Sequence, residues 1–423
     1  MKENNSPQFS ILIPTTGRSD IIKMSIESVL GQTFTDFEII IGDSSKGQTI
    51  RPLAEHFSDE RIRYLPVPDS EPFFTFDLPA KAAKGNYLLW LDDDNYLLPF
   101  ALELFHCVAL KKQSDIITAN HLYYYDKAHP RLTLRNSLGI VPFAGNSREI
   151  DLYETLHDLY AFKRRGGGPR FHTSATIFSK EVAERAVKKV GSVLLTDMPN
   201  VHSHQPILFS SARSCVYIDH PVVLIGRLSI SMSQSWSTAA RTRFASQPFK
   251  PRLSPFSAYT RINGIAENYL RVKEILNNDF KDISLNYEAL AEIYLKELLY
   301  LDTDGATFFK NWTNLFYVLR TRDFENKKSL LARARRIAAI APFVFVSRRL
   351  RLHYVWRRII AVGALITKKK NSLEFRNSIR GKREFEVSLR EYPEIDSIQT
   401  LALQVTDIIK KETGVNISEY SIS

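Results

Sequence analysis

The chain has 423 residues, more than one hydrophobic core ordinarily serves, so a main unit with a second one behind it is expected. Hydrophobic residues at 44% and charged residues at 24% exclude wholesale disorder and a membrane-embedded chain. The net charge of +11 sits in one place, because residues 331–370 hold eleven Lys or Arg and no Asp or Glu, which argues for a local basic contact and against a nucleic-acid partner for the whole.

Phe9 to Ile13 is a short apolar run stopped by Pro14, Thr15, Thr16 and Gly17, and Ile21 to Leu30 repeats apolar residues at helical spacing. The polar residues before it, Met1 to Gln8, contain no apolar stretch of the signal-peptide kind, so a cytoplasmic location is expected. Strands are predicted again at Phe37 to Ile41 and Arg61 to Val67, with a helix from Thr49 to Phe57 between them. Asp77 to Lys84 reads as a helix and Asn86 to Leu91 as a strand buried on both faces. Alternating strands and helices imply an α/β unit with a parallel sheet.

Beyond it, Phe100 to Lys111 reads as a helix, Asp115 to Asn120 as a strand, and Asp126 to Gly168 as a loop-rich stretch. Phe171 to Phe178 and Ser214 to Ile225 are strand-like, with a helix at Lys180 to Lys189. Pro248 to Pro255 holds three prolines and is the linker candidate, which divides the chain into 1–247 and 256–423. After Tyr259 strand signals nearly vanish, and helical periodicity marks Ile262 to Leu276, Tyr287 to Leu301, Asn311 to Leu319 and Ile398 to Lys411. The only cysteines, Cys107 and Cys215, support neither a disulfide framework nor a cysteine metal site.

Three carboxylates, Asp92, Asp93 and Asp94, end a buried strand, the place where open parallel sheets bind ligands. If strand geometry continues through them, Asp92 and Asp94 share a face and Asp93 takes the other. Two close carboxylates repel unless a cation lies between them, and a hard divalent ion with oxygen ligands relieves this. The bland alternative is an acidic loop capping the next helix. Against it stand two further strand ends, Pro14 to Arg18 and Asp43 among Ser44, Ser45 and Lys46.

Four stretches in order carry a family resemblance: Ser10 to Arg18 (SILIPTTGR), Ser28 to Thr33 (SVLGQT), Phe37 to Asp43 (FEIIIGD) and Ala83 to Asp94 (AKGNYLLWLDDD). Together they resemble the family 2 glycosyltransferases over roughly the first 120 residues. The resemblance implies a Rossmann-like GT-A nucleotide-sugar-binding domain, here followed by a mainly helical extension. By the same resemblance, Pro14, Thr15, Thr16 and Arg18 line the nucleotide pocket and Asp43 bonds base or ribose. Asp92 matches the first acid of the family's DxD element and Asp94 the acid that ligates Mg²⁺ or Mn²⁺. Asp93 is grouped with the nucleotide-sugar contacts. Asn95 departs from relatives with a further Asp there, as does Gly31 from the commoner Ser or Asn.

An inverting transferase needs a base for the acceptor hydroxyl, and Thr196-Asp197-Met198-Pro199 resembles the later acidic element that supplies it. Asp197 is therefore the candidate base, with a helix cap as its other reading. His202 and His204 lack the i, i+4 spacing of a zinc pair, and with His172 they are candidate acceptor or diphosphate contacts. Gly166 to Gly168, before His172, form either a plain turn or a close backbone approach to a ligand.

Between Arg333 and Lys370 arginines interleave with apolar and aromatic residues, which suits either an anionic membrane interface or an apolar face packed on the catalytic unit. The combined reading is an inverting, metal-assisted transfer from a nucleotide-sugar to a glycan acceptor, a lipid-linked surface polysaccharide, at the inner face of the cell membrane. The alternative is a catalytically silent nucleotide-sugar-binding scaffold.

Overall fold

The computed structural model describes residues 6–68, 74–129, 134–141, 143, 145–163, 171–195, 202–229, 251–257, 260–276, 279–300, 305–349 and 385–413. Its first strand, β1 (Phe9–Thr15), is buried along its whole length, as befits an apolar run covered on both faces. It lies between β2 (Phe37–Asp43) and β4 (Tyr87–Trp90), parallel to both, and β3 (Ile62–Pro66) extends the parallel set beyond β2. Helix α1 (Ser19–Leu30) buries Ile22, Ile26 and Val29 against that sheet, with α2 (Arg51–His56) and α3 (Phe74–Ala82) forming the other crossovers. Each such fully buried aliphatic side chain contributes about 1.5–3 kcal/mol of transfer free energy.

The expected parallel sheet holds for these four strands and then changes direction. After α4 (Ala101–Lys112), β6 (Ile116–Tyr125) is separated from β4 by β9 (Thr176–Ser179), which is antiparallel to both. Strand β10 (Cys215–Arg227) runs parallel to β6, and the short β5 (Tyr96–Leu97) and β8 (Ser147–Glu149) pair with it antiparallel. Among the described residues eleven strands form one mixed sheet.

The stretch read as loop, 126–168, contains β7 (Ser137–Ile140), β8 and a helix, α5 (Leu152–Tyr160). The helix is capped by Asp151, whose carboxylate accepts from the Glu154 N–H at 2.8 Å. An Asp followed three residues on by Glu is the local signal that marks this start.

Helices α6 (Lys180–Val190) and α7 (His204–Ser211) lead to β10, and the later helices are α8 (Arg261–Ile275), α9 (Tyr287–Tyr300), α10 (Gly305–Thr321) and α11 (Lys327–Arg349). They share an apolar core with the sheet: Leu12, Trp90 and Phe178 belong to the same cluster as Phe256, Tyr269, Tyr294, Phe308 and Ala334. Tyr160 of α5 donates its hydroxyl to the Tyr269 carbonyl at 2.6 Å and stacks on that ring. The proline-rich connector is pinned at its far end, where the N–H groups of Arg252, Leu253 and Ser254 donate to the buried Glu267 carboxylate.

Among the described residues after 259 the one strand is the short β11 (Phe385–Ser388), which pairs antiparallel with β7. The last helix, α12 (Ile398–Thr413), then packs Leu401, Val405 and Ile409 beside Leu122, Tyr124 and Leu224 of the sheet. Of the basic segment, 331–349 falls within α11, where Leu330, Ala334 and Ala341 are buried and Arg333 pairs with Glu292 of α9 at 2.7 Å. Residues 350–370 lie outside the described residues, as do Asp197 and Gly166 to Gly168. Among the described residues no helix is long and apolar enough to cross a membrane.

Candidate active site

The site lies where the carboxyl ends of β1, β2 and β4 meet. Strand β4 ends at Trp90, so the alternation expected through Asp92, Asp93 and Asp94 does not occur; the triplet enters a turn in which the Asn95 N–H donates to the Asp92 carbonyl at 3.0 Å. Asp93 therefore does not face away. Its carboxylate accepts from Thr15 Oγ1 at 2.9 Å and from Arg18 Nε at 3.3 Å, and Arg18 also stands 3.8 Å from Asp94.

The turn is held from three sides. Ser25 on α1 places its hydroxyl 2.8 Å from the Asp93 carbonyl and 2.7 Å from that of Asn95. Ser174, in a 3₁₀ turn at Thr173–Ala175, accepts from the Asp92 N–H at 3.1 Å and from Asn95 Nδ2 at 2.7 Å. Gly226 of β10 donates its N–H to Asn95 Oδ1 at 3.0 Å, and its Cα lies so close to the Asp94 carbonyl that any β-carbon there collides with it.

Electrostatics follow from this crowding. Burial, then Asp94 and Asp93, push the Asp92 carboxyl up to about 7, against the opposing pull of Arg18 and Arg227. Burial also raises Asp93, although Arg18 works to keep it ionised. The Asp92 carboxylate, buried beside Asp94 and short of counter-charge, matches the chemistry of a hard divalent cation that would take its other ligands from substrate phosphates and water. Among the described residues no three His, Cys, Asp or Glu side chains converge to hold a metal by themselves.

Asp43 ends β2 opposite Thr15 and is fully buried. Its oxygens accept from the Ser45 N–H at 2.7 Å, the Tyr64 hydroxyl at 2.8 Å and the Ile50 N–H at 3.4 Å, so it shapes its own loop. Pro14 is buried opposite Gly42, while Thr16 is exposed beside Arg18 at the mouth.

His172 precedes the same 3₁₀ turn, and its Nδ1 accepts from the Ser174 N–H at 3.2 Å. Burial, with His121, Arg227 and His204 nearby, lowers its pKa well below the ordinary histidine value. His202 is pushed down to about 3 by burial and by His204, Arg261 and His172. His204 meets Trp90 edge-on at 5.6 Å. The structure thus brings Thr15, Arg18 and the triplet into contact, joins His172 to them through Ser174, and gathers His202 and His204 on the neighbouring side.

Ser25, in the middle of α1, and Ser174, Gly226 and Arg227, near element ends, belong to this arrangement and have no other mark in the sequence. Asn95, singled out as a departure, is the residue through which Ser174 and Gly226 grip the turn.

A family model described as "Glycosyl transferase family 2" matches residues 10–186, which contain Thr15, Arg18, Asp43, the triplet and His172. This segment belongs to glycosyl transferase family 2. The family 2 segment supplies β1 to β9 of the mixed α/β sheet, and β10 and the helical region follow it in the chain. Chondroitin synthase of Escherichia coli is 35% identical over 100 residues, covering 23% of this chain and 15% of that protein. The GalNAc(5)-diNAcBac-PP-undecaprenol beta-1,3-glucosyltransferase of Campylobacter jejuni is 29% identical over 100 residues, covering 23% of this chain and 32% of that protein. The chain thus spans less than a third of either curated relative. Among solved structures, S. aureus TarS 1-349 in complex with UDP-GlcNAc aligns over 81% of this chain and 92% of its own, with 14% identity and a TM-score of 0.47.

Proposed function

We propose that the chain is an inverting glycosyltransferase that moves a sugar from a nucleotide-sugar to a hydroxyl of a glycan acceptor. The observation that carries it is the contact of Thr15 and Arg18, from the end of β1, with Asp93 in the acidic turn beyond β4. Pro14, Thr15, Thr16 and Arg18 line the nucleotide side, with Asp43 supporting the base or ribose end, and Asp92 and Asp93 bound the sugar-phosphate. Asp94 and Asp92 would hold Mg²⁺ or Mn²⁺, which when bound would offset the charge on the departing diphosphate.

In the reaction the acceptor oxygen forms a bond to the anomeric carbon while the bond from that carbon to the diphosphate oxygen breaks. The electron pair leaves with the nucleoside diphosphate, and the acceptor proton passes to the carboxylate of Asp197. His172 reaches the acidic turn through Ser174, and His202 and His204 lie close to His172; burial holds His172 and His202 neutral, which suits them to hydrogen-bond an acceptor or diphosphate oxygen without carrying charge.

The relatives' activities, a chondroitin synthase and an undecaprenol-linked glucosyltransferase, support a cell-surface polysaccharide on a lipid carrier as acceptor. On this reading 1–247 is the catalytic unit and 256–423 a helical extension, whose final segment returns to the sheet through β11. The basic segment 331–370 meets the anionic inner face of the membrane, and the protein works there from the cytoplasm. A thermal-shift screen of nucleoside diphosphates and sugar nucleotides, with and without Mn²⁺, tests the donor site, since a ligand that binds only the folded state raises stability. Metal-dependent stabilisation by one nucleotide class is expected; none from any nucleotide counts against the reading.

A further inference from the structure

A row of rings leads away from the acidic turn along β6. His172 faces His121 at 5.5 Å, His121 meets Tyr123 at 4.9 Å, Tyr123 lies 6.2 Å from Tyr125, and Tyr125 meets His129 at 5.2 Å. His121, Tyr123 and Tyr125 alternate along the strand and so share one face, opposite Leu122 and Tyr124, which pack into the core beside α12. The row starts at the site, because Arg227 lies over the Tyr123 ring at 5.0 Å and is close enough to both Asp92 and His172 to act on their protonation.

The neighbouring strand leaves room for these rings. Gly139 of β7 pairs with Tyr123, and a β-carbon there would stand 3.1 Å from both Tyr123 Cβ and Tyr125 Cε2. Tyr123 is fixed by its hydroxyl, 2.8 Å from His121 Nε2. Tyr123 and Tyr125 keep part of their surface open to solvent, whereas His121 and His129, which flank them in the row, are buried.

Pyranose rings present an apolar C–H face with hydroxyls at the rim, and an aromatic side chain with a polar tip matches both parts. We propose that the Tyr125 ring, in line from His172 by way of Tyr123, whose own ring lies under Arg227, forms a platform that binds a sugar of the acceptor glycan behind its attacking end. The proposal rests on the transferase reading for the direction of the glycan, but the binding surface itself does not.

The test uses the full chain on a printed array of bacterial surface oligosaccharides, in parallel with thermal shifts by a panel of nucleoside diphosphates with Mn²⁺. Wild type retains at least one glycan, Tyr125→Ala weakens that binding about tenfold or more, as truncated aromatic anchors do, and Tyr125→Phe, which keeps the ring, binds as wild type. Equal binding by Tyr125→Ala overturns the platform, and so does wild type that retains no glycan while a nucleoside diphosphate still stabilises it. Glycan binding that depends on Tyr125 without stabilisation by any nucleoside diphosphate leaves the platform standing and removes the transferase reading instead.

Discussion

Arg18 and Asp93 stand 75 residues apart in the chain and form an ion pair where two parallel strands end. The pair fastens the loop after β1 to the acidic turn after β4, so the two halves of the proposed donor site are a single object. Guanidinium geometry matters here, because Arg18 touches Asp93 through two nitrogens and lies near Asp94 as well.

Arg18→Lys keeps the charge and loses the fork. We expect nucleotide-sugar affinity to fall by about tenfold or more, the scale of a lost hydrogen bond to a charged group. Isothermal titration with the nucleotide found by thermal shift checks this; unchanged affinity means that Arg18 serves the fold alone.

Asp92→Asn removes a carboxyl that burial and two neighbouring acids make costly to ionise. Its folded pKa, about 7, lies above the ordinary carboxylate value, so it lowers stability increasingly as pH rises toward neutrality. In metal-free buffer at pH 7.5 the variant is expected to melt higher than wild type by ~2 °C or more while losing turnover. A lower melting temperature contradicts the assigned strain.

Gly226→Ala places a β-carbon against the Asp94 carbonyl. Backbone, not a flexible side chain, stands in the way, so the turn must shift. Overpacking of this kind costs about 1–3 kcal/mol. Denaturant unfolding measures that loss, and turnover should fall with it because the Asn95 grip on the turn is made by the same residue's N–H.

His202 supplies a pH dependence of opposite sign to Asp92. Its folded pKa, about 3, lies below the ordinary value of 6.5, so above 6.5 it is neutral folded or unfolded. Below 6.5 the unfolded chain takes up a proton that the folded one resists, and stability is lost as pH falls toward 3. Comparing wild type with His202→Asn cancels the carboxyl contributions. The wild-type advantage at pH 7.5 is expected to shrink by pH 5, by at most about 1.4 kcal/mol per pH unit; a constant difference contradicts it.

Much of the first half was legible because its strands are long apolar runs with Gly, Pro and Asp at their ends. β1, β2 and β4 carry their own burial pattern, and the acids that follow them announce a site. Less legible were β7, β8 and β11, which are short and owe their strand state to partners far along the chain. The direction of β9 was hidden for the same reason, since pairing is decided between strands. Within the site, Asp93 is misplaced by assuming that strand geometry outlasts Trp90. Ser174, Gly226 and Arg227 escape sequence reasoning because their roles exist only where 3₁₀ turn, β10 and acidic turn meet.

The most direct measurement is nucleoside diphosphate release from a pool of sugar nucleotides by wild type and Asp94→Ala, each with Mn²⁺ and with a chelator. Wild type is expected to release one nucleoside diphosphate in Mn²⁺ only, and Asp94→Ala to lose that release by about 100-fold or more, the scale of removing a group that stabilises developing charge. Release that persists in chelator, or an Asp94→Ala protein as active as wild type, contradicts a metal-assisted transfer at this acidic turn.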